Sequence, residues 1–279
     1  MLYFAYDATI HGDWASHYAV RLALHHPSQT LNLIHVDEGR LSPDQLDTRM
    51  HLLADRCQMV GVTLNIHREP VRASVFDQLD ALVPTGPETY LLCGTRAHQR
   101  SLGYITGTAV ERLLLARRRN VMAIRVLQPG ILGCPASILV PVRGMPEGFA
   151  YGMPFLKLLV PDVTNLRLLM IKEVTPFAFR RLSHENSQRL HEEAAAYVQG
   201  IAAEIGKQFD VSKTHIEHET GVSDDVPKEI VICANRAKSQ LIYLGASSRN
   251  LRDIFVYGNP IEQVLRNAPC DVGVYGACE

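Results

Sequence analysis

The stretch GTRAHQRSLGYITGTAVERLL, residues 94–114, decides the fold prediction, because it reads as the end of a strand, a glycine-bearing loop and a helix. A short apolar run, residues 89–94, precedes the loop and ends at Gly94, which is typical of a buried strand. After Gly107, the side chain of Thr108 is suited to cap the first turn of a helix, whose N-terminus attracts phosphate. A plain strand-to-helix connection would show the same glycine spacing, so the motif alone leaves both interpretations open.

A second copy of the pattern lies at residues 241–266, LIYLGASSRNLRDIFVYGNPIEQVLR. The interval from Gly94 to Gly107 equals the interval from Gly245 to Gly258. The same offset matches three helix positions, namely Val110 with Ile261, Glu111 with Glu262 and Leu114 with Leu265. An internal repeat of this kind predicts two copies of one structural unit.

Strands alternate with helical segments along both copies. The predicted strands are residues 2–6, 31–36, 62–67, 89–94 and 120–126, then 137–142, 166–171, 214–218, 241–245 and 271–276. The predicted helices are residues 14–25, 43–60, 74–83 and the segment after Gly107, then about 149–159, 182–207, 224–236 and the segment after Gly258. Because helical crossovers join parallel strands, we expect two α/β domains, each with five parallel strands and four helices. The proline- and glycine-rich segment 128–136 is the predicted linker between domains 1–127 and 137–279.

Composition excludes several classes of protein. The net charge of −1 argues against a nucleic-acid partner, because such proteins usually present a basic face. The six cysteines form no CxxC pair, and the histidines of the first half lack the one-turn spacing of a helical zinc site, so we expect no metal site made by these side chains. The N-terminus does not read as a signal peptide and no apolar stretch is long enough to span a bilayer, which predicts a soluble cytoplasmic protein.

Residues at the predicted strand ends carry a family resemblance. Asp7 ends the first strand, and His35 and Val36 end the second. Gly94, Ala97, Gly107 and Thr108 approximate the spacing G-x-x-G-x9-G-[ST], and residues 266–276 contain an APC-x-V run. The chain resembles the universal stress protein family over essentially its whole length, as two tandem family domains. The resemblance implies the adenine nucleotide alpha-hydrolase-like fold, with the domains paired as a pseudo-dimer through their last strands, residues 120–126 and 271–276.

The resemblance also implies that the first domain binds ATP or another adenine nucleotide, carried with Mg. The implied site residues are Asp7, Ala8, Val36, Gly94, Arg96, Ala97, Gly107, Thr108 and Ala109. Asp7 would lie near the adenosine and the backbone of Val36 at the adenine edge, while Gly107 and Thr108 would hold the phosphates. Ala97 stands where the family has its second glycine, and the added methyl group would narrow the phosphate site.

The second domain departs further from the family pattern. Arg143 replaces the acidic residue at the end of the first strand, and Ser248 replaces the second glycine. Asn259 stands where the family has a serine or threonine after the last glycine, and Pro260 removes a backbone donor. We therefore expect no ATP there.

Three functions remain open at this point. The first is an ATP-binding sensor or scaffold in the stress response, and the second is an interaction or dimerisation scaffold without nucleotide. The third is a weak ATP hydrolase. The sequence contains no catalytic motif, which argues against this third function. Unknown protein partners and a homodimer of the whole chain are compatible with all three.

Overall fold

The computed structural model of the chain describes residues 1–95, 103–142, 153–246 and 259–278. The strands of these residues are β1 Leu2–Ala5, β2 Thr30–Asp37, β3 Thr63–Pro70, β4 Gly86–Gly94, β5 Arg119–Arg125, β6 Ser137–Val142, β7 Asn165–Glu173, β8 His215–Ser223, β9 Leu241–Gly245 and β10 Asp271–Gly276. The helices are α1 Ile10–His25, α2 Pro43–Met59, α3 Val75–Leu82, α4 Ala109–Ala116, α5 Met153–Leu159, α6 Pro176–Arg180, α7 His184–Gln208, α8 Val226–Arg236 and α9 Pro260–Asn267. Below, the first half means β1 to β5 with their helices, and the second half means β6 to β10 with theirs.

The strands form a single sheet in the order β3-β2-β1-β4-β5-β10-β9-β6-β7-β8. Neighbouring strands within each half are parallel, as helical crossovers require. The halves meet where β5 and β10 pair antiparallel, with Arg125 opposite Val272 and Val121 opposite Gly276. This arrangement confirms the predicted α/β fold of two five-stranded parallel units joined through their last strands. The junction also covers one edge of each unit, and an uncovered edge invites aggregation.

Two apolar clusters cover the two faces of the sheet. One cluster contains buried residues of α1, α2, α5 and α7, including Leu22 and Phe155. The other contains residues of α3, α4, α8 and α9, including Leu114 and Leu265. Each cluster draws on both halves, because each sheet face continues across the β5–β10 junction. Among the described residues, no helix has the length and apolar character needed to cross a bilayer.

Some element boundaries differ from the sequence prediction for identifiable reasons. Helix α1 begins at Ile10 and not at residue 14, because the Thr9 side chain caps it by accepting a hydrogen bond from the Gly12 N–H. The second half has five helices in its described residues, and not four as predicted, because the short helix α6 precedes α7. Thr175 caps α6 and proline follows it at the first helical position, a combination that starts a helix locally.

A buried carboxylate anchors the chain as it leaves β5. Asp271 is fully buried at the start of β10, and its Oδ1 accepts hydrogen bonds from the backbone N–H groups of Leu127 at 2.7 Å and Gln128 at 2.8 Å. The hydroxyl of Tyr18 donates to its Oδ2 at 2.7 Å. One side chain of the second half therefore holds the first residues after β5 and the middle of α1 together.

Candidate functional site

The carboxyl ends of β1, β2 and β4 surround a cavity of about 470 Å³, which the N-terminus of α4 closes on one side. Ligands of open parallel sheets bind at this edge. Six of the residues predicted from the sequence line the cavity, namely Asp7, Val36, Gly94, Gly107, Thr108 and Ala109. Ala8 is buried and is not among the lining residues. Arg96 and Ala97 lie outside the described residues.

The Asp7 side chain is held in place by the turn that follows it. Its Oδ1 accepts hydrogen bonds from the Thr9 backbone N–H at 3.0 Å and the Thr9 hydroxyl at 2.9 Å. A Cβ atom at Gly12 would lie 2.2 Å from that oxygen, so a side chain there would force the Asp7 carboxylate to move. Ala8 adopts a positive φ of 54°, which allows the chain to turn between the strand and the cap of α1. Asp7 is exposed and presents its carboxylate at the cavity.

The N-terminus of α4 is more occupied by protein groups than the sequence predicts. Gly107 has a φ of 72°, and its N–H donates to Glu111 Oε2 at 2.7 Å. The Thr108 hydroxyl accepts from the Glu111 N–H at 3.2 Å and donates to the Ile105 carbonyl at 2.5 Å. Within the described residues, the N–H groups of Ala109 and Val110 have no protein acceptor. Among the groups that the structure describes at this terminus, those of Ala109 and Val110 are therefore the donors left for a ligand.

Two arginines of the cavity wall were missed by the sequence analysis. The guanidinium of Arg112 lies 3.8 Å from the ring centroid of Phe76, and its Nη2 lies 3.6 Å from Asp77 Oδ1. Arg40 Nη2 lies 3.1 Å from Glu38 Oε2, and both of these residues line the cavity. The sequence did offer a signal for Arg112, because it lies one helical turn after Thr108 and so on the same face of the helix. Arg40 follows β2 with no motif to mark it.

The cavity floor is apolar and includes the thiol of Cys93. Ile34, Leu79 and Cys93 belong to the apolar cluster beneath it. Burial raises the pKa of the Cys93 thiol to about 12, which keeps it protonated at neutral pH. The pKa of Tyr6 is also raised, first by burial and then by the hydrogen bond that its hydroxyl donates to Asp13. In the described parts of the chain, no group of three His, Cys, Asp or Glu side chains is arranged to hold a metal ion.

The corresponding helix terminus of the second half is capped by its own side chain. Asn259 Oδ1 accepts hydrogen bonds from the N–H groups of Ile261 at 2.9 Å and Glu262 at 3.2 Å, and Pro260 has no N–H. Arg143 and Ser248, two of the predicted departures from the family pattern, lie outside the described residues. The absence of ATP from the second half stays a prediction.

Comparison with known proteins finds a family match within the second half. Residues 162–275 match the model of the Universal stress protein family, so this part of the chain carries one domain of that family. The match falls on the half whose loop motif departs further from the family pattern. No curated protein matches the chain significantly.

Solved structures resemble the chain over nearly its whole length. A universal stress protein from Archaeoglobus fulgidus DSM 4304 aligns with 100% of this chain and 96% of its own, at 11% identity and a TM-score of 0.60. A candidate universal stress protein from Pseudomonas aeruginosa UCBPP-PA14 aligns with 98% and 92%, at 14% identity and a TM-score of 0.54. The cytoplasmic domain of a prokaryotic cation chloride cotransporter aligns with 99% and 95%, at 11% identity and a TM-score of 0.58. At these identities the likeness concerns the fold alone, and one fold serves different functions.

Proposed function

We propose that the chain is a tandem universal stress protein whose first domain binds an adenine nucleotide in the cavity at the end of β1, β2 and β4. In this proposal the domains span residues 1–127 and 137–279, with residues 128–136 as the linker. The observation that supports it most is that the motif residues Asp7, Val36 and Gly107 to Ala109 line one cavity. They are far apart in sequence, and a ligand contacting several of them would explain their joint presence.

The lining of the cavity suits the parts of a nucleotide. Ile34, Val36 and Leu79 offer an apolar surface to a planar base, and the Asp7 carboxylate is available to ribose or base donors. The phosphates would lie at the N-terminus of α4, where the Ala109 and Val110 N–H groups and the helix dipole favour an anion. Arg112 would add a charge-assisted contact.

We propose a binding function and not a catalytic one. Cys93 and Tyr6 are held protonated by their surroundings, which leaves neither ready to act as a nucleophile or base at neutral pH. Mg would enter with the nucleotide, since Mg²⁺ is commonly held by substrate phosphates together with one or two carboxylates. A role in stress adaptation and a cytoplasmic location remain predictions.

A scaffold function without nucleotide is the second candidate, and one observation favours it. The loop donors nearest the cavity are already used, because Gly107 donates to Glu111 and residues 104–106 donate to Glu262. The described part of the loop, residues 104–107, therefore does not need a ligand to satisfy these donors.

Calorimetric titration separates these two candidates. We expect the wild-type protein to release or absorb heat with MgATP, and the signal to weaken strongly in Asp7→Ala and Gly107→Val. Gly61→Val is the matched control, because Gly61 has a φ of 77° close to the 72° of Gly107, and a Cβ would meet no atom within 4 Å at either position. If wild-type protein gives no heat with MgATP, AMP or adenosine, the nucleotide proposal is wrong and the scaffold function is favoured.

A further inference from the structure

A glutamate of the second half binds the backbone of the loop that leads into α4. Glu262 Oε2 accepts a hydrogen bond from the Tyr104 N–H at 2.8 Å. Its Oε1 accepts from the N–H groups of Ile105 at 2.8 Å and Thr106 at 2.9 Å, and from the Thr106 hydroxyl at 3.1 Å. Four donors thus converge on one carboxylate, and hydrogen bonds to a charged acceptor are stronger than neutral ones. We call Glu262 with residues 104–106 the inter-half clasp.

The clasp is tightly fitted to this glutamate. A Cβ atom at Gly103 would lie 2.7 Å from Glu262 Oε1 and 2.8 Å from its carboxyl carbon, so any larger residue at this position would force the carboxylate to shift. The guanidinium of Arg125 lies 4.3 Å from the Tyr104 ring centroid and donates to the Leu265 carbonyl of α9. Arg125 therefore joins the same loop to the same helix from the strand side.

The clasp lies next to the cavity without forming its wall. Neither Glu262 nor residues 103–106 line the cavity, whereas Gly107 and Thr108 do. The connection runs through Ile105, because the Thr108 N–H donates to its carbonyl at 3.0 Å and the Thr108 hydroxyl at 2.5 Å. Glu262 fixes the N–H of Ile105, and Ile105 fixes the residue that caps α4. The orientation of the α4 N-terminus therefore depends on a side chain of the other half.

We infer that Glu262 is a positioning residue for the phosphate end of the cavity, so that the second half serves the ligand site of the first. This inference rests on the proposed nucleotide function. It assigns a role to the half in which we expect no ATP: α9 supplies the carboxylate that holds the loop of α4. Without Glu262, the hydrogen bonds from the N–H groups of residues 104–106 to its carboxylate are lost, and the loop loses its fixed geometry before a phosphate arrives. A ligand must then order the loop itself, which lowers its affinity.

Calorimetric titration with MgATP and with adenosine tests the inference. We expect Glu262→Ala to raise the Kd for MgATP by about 10-fold, a change within the usual range of coupling between distinct sites. Adenosine carries no phosphate and should bind with little change, whereas a general loss of structure would weaken both ligands. Glu185→Gln is the control, because Glu185 is an exposed glutamate in the first turn of α7, also in the second half. It should bind both ligands as the wild type does.

A double-variant cycle with Gly103 makes the test specific for the contact. Gly103→Ala places a methyl group against the Glu262 carboxylate, so it should weaken MgATP binding in the wild type. In the Glu262→Ala background the same substitution meets no carboxylate and should have little further effect. Independent, additive losses from the two substitutions would contradict the inference, as would an unchanged Kd in Glu262→Ala.

Amide hydrogen exchange in the ligand-free protein distinguishes failure of the inference from failure of the proposed function. We expect the amides of residues 104–106 to be protected in the wild type and to exchange faster in Glu262→Ala. Unchanged exchange would refute the clasp whatever the result with ATP. If exchange changes as expected and wild-type protein binds no nucleotide, the clasp is supported and only the proposed function is refuted.

Discussion

Removal of the Asp271 carboxylate should destabilise the protein, whereas replacement by asparagine should not. Asp271 is fully buried and accepts hydrogen bonds from Tyr18, Leu127 and Gln128. A buried donor without an acceptor costs about 1–3 kcal/mol, and the two backbone donors are only partly buried, so they belong at the low end. The variant also no longer buries a charge, and the desolvation free energy saved in this way offsets part of the destabilisation. We expect Asp271→Ala to lower the free energy of unfolding by about 3 kcal/mol.

Asparagine keeps the oxygen that accepts from the two backbone N–H groups, and the Tyr18 hydroxyl can rotate to accept from its amide. We therefore expect Asp271→Asn to change the free energy of unfolding by no more than about 1 kcal/mol. Urea denaturation at neutral pH measures both variants. With an m-value of about 3 kcal/mol/M, the alanine variant should unfold at about 1 M lower urea than the wild type. Equal midpoints for the two variants would refute the assigned role of the hydrogen bonds.

The stability of the wild type and that of Asp271→Asn should depend differently on pH. Burial, the largest cause, raises the pKa of Asp271 above its ordinary value of 3.8, against the opposing effect of the hydrogen bonds from Leu127, Gln128 and Tyr18. The folded state then binds more protons than the unfolded state in the window above 3.8, so stability falls as the pH rises through that window. Asp271→Asn lacks this titration. The wild type should lose stability relative to Asp271→Asn as the pH rises from below 3.8 through the raised pKa.

Three further predictions concern the cavity and its surroundings. Arg112→Gln should weaken MgATP binding by about tenfold, or 1.4 kcal/mol, with little change for adenosine, since its role is a charged contact with phosphate; equal losses for both ligands in a calorimetric titration would contradict this role. Gly12→Ala should displace the carboxylate of Asp7, because the new Cβ would lie 2.2 Å from its Oδ1, and so lower the affinity for adenosine as well as MgATP in the same assay. Cys93 should react with a thiol reagent far more slowly than the partly exposed Cys278 in native protein, since burial raises its pKa to about 12, and mass spectrometry of timed samples measures the order of labelling.

Much of the candidate site was predictable, because a parallel sheet brings the carboxyl ends of its strands to the same edge. Asp7 and Val36 end neighbouring strands, and Gly107 and Thr108 precede a helix, so their meeting follows once the strands are recognised. Arg112 was not predicted although it lies one helical turn after Thr108, because its place in the wall also depends on the packing of α4 against α3. Ala8 was expected at the site, and after the tight turn that follows β1 it is buried and does not line the cavity, so its part in the site stays a prediction.

The sequence by itself determined the alternation of strands and helices and the internal repeat, since these depend on local periodicity and spacing. The pairing of the two last strands was expected only from the family resemblance. Only the tertiary structure decided which group the backbone donors of residues 104–106 bind. The stretch 94–114 predicts a phosphate site, yet the donors at 104–106 bind Glu262, which is more than 150 residues away along the chain. That contact depends on the antiparallel register of β5 and β10, which brings α9 beside the loop. A register between distant strands is set by the packing of both halves, and no local pattern encodes it.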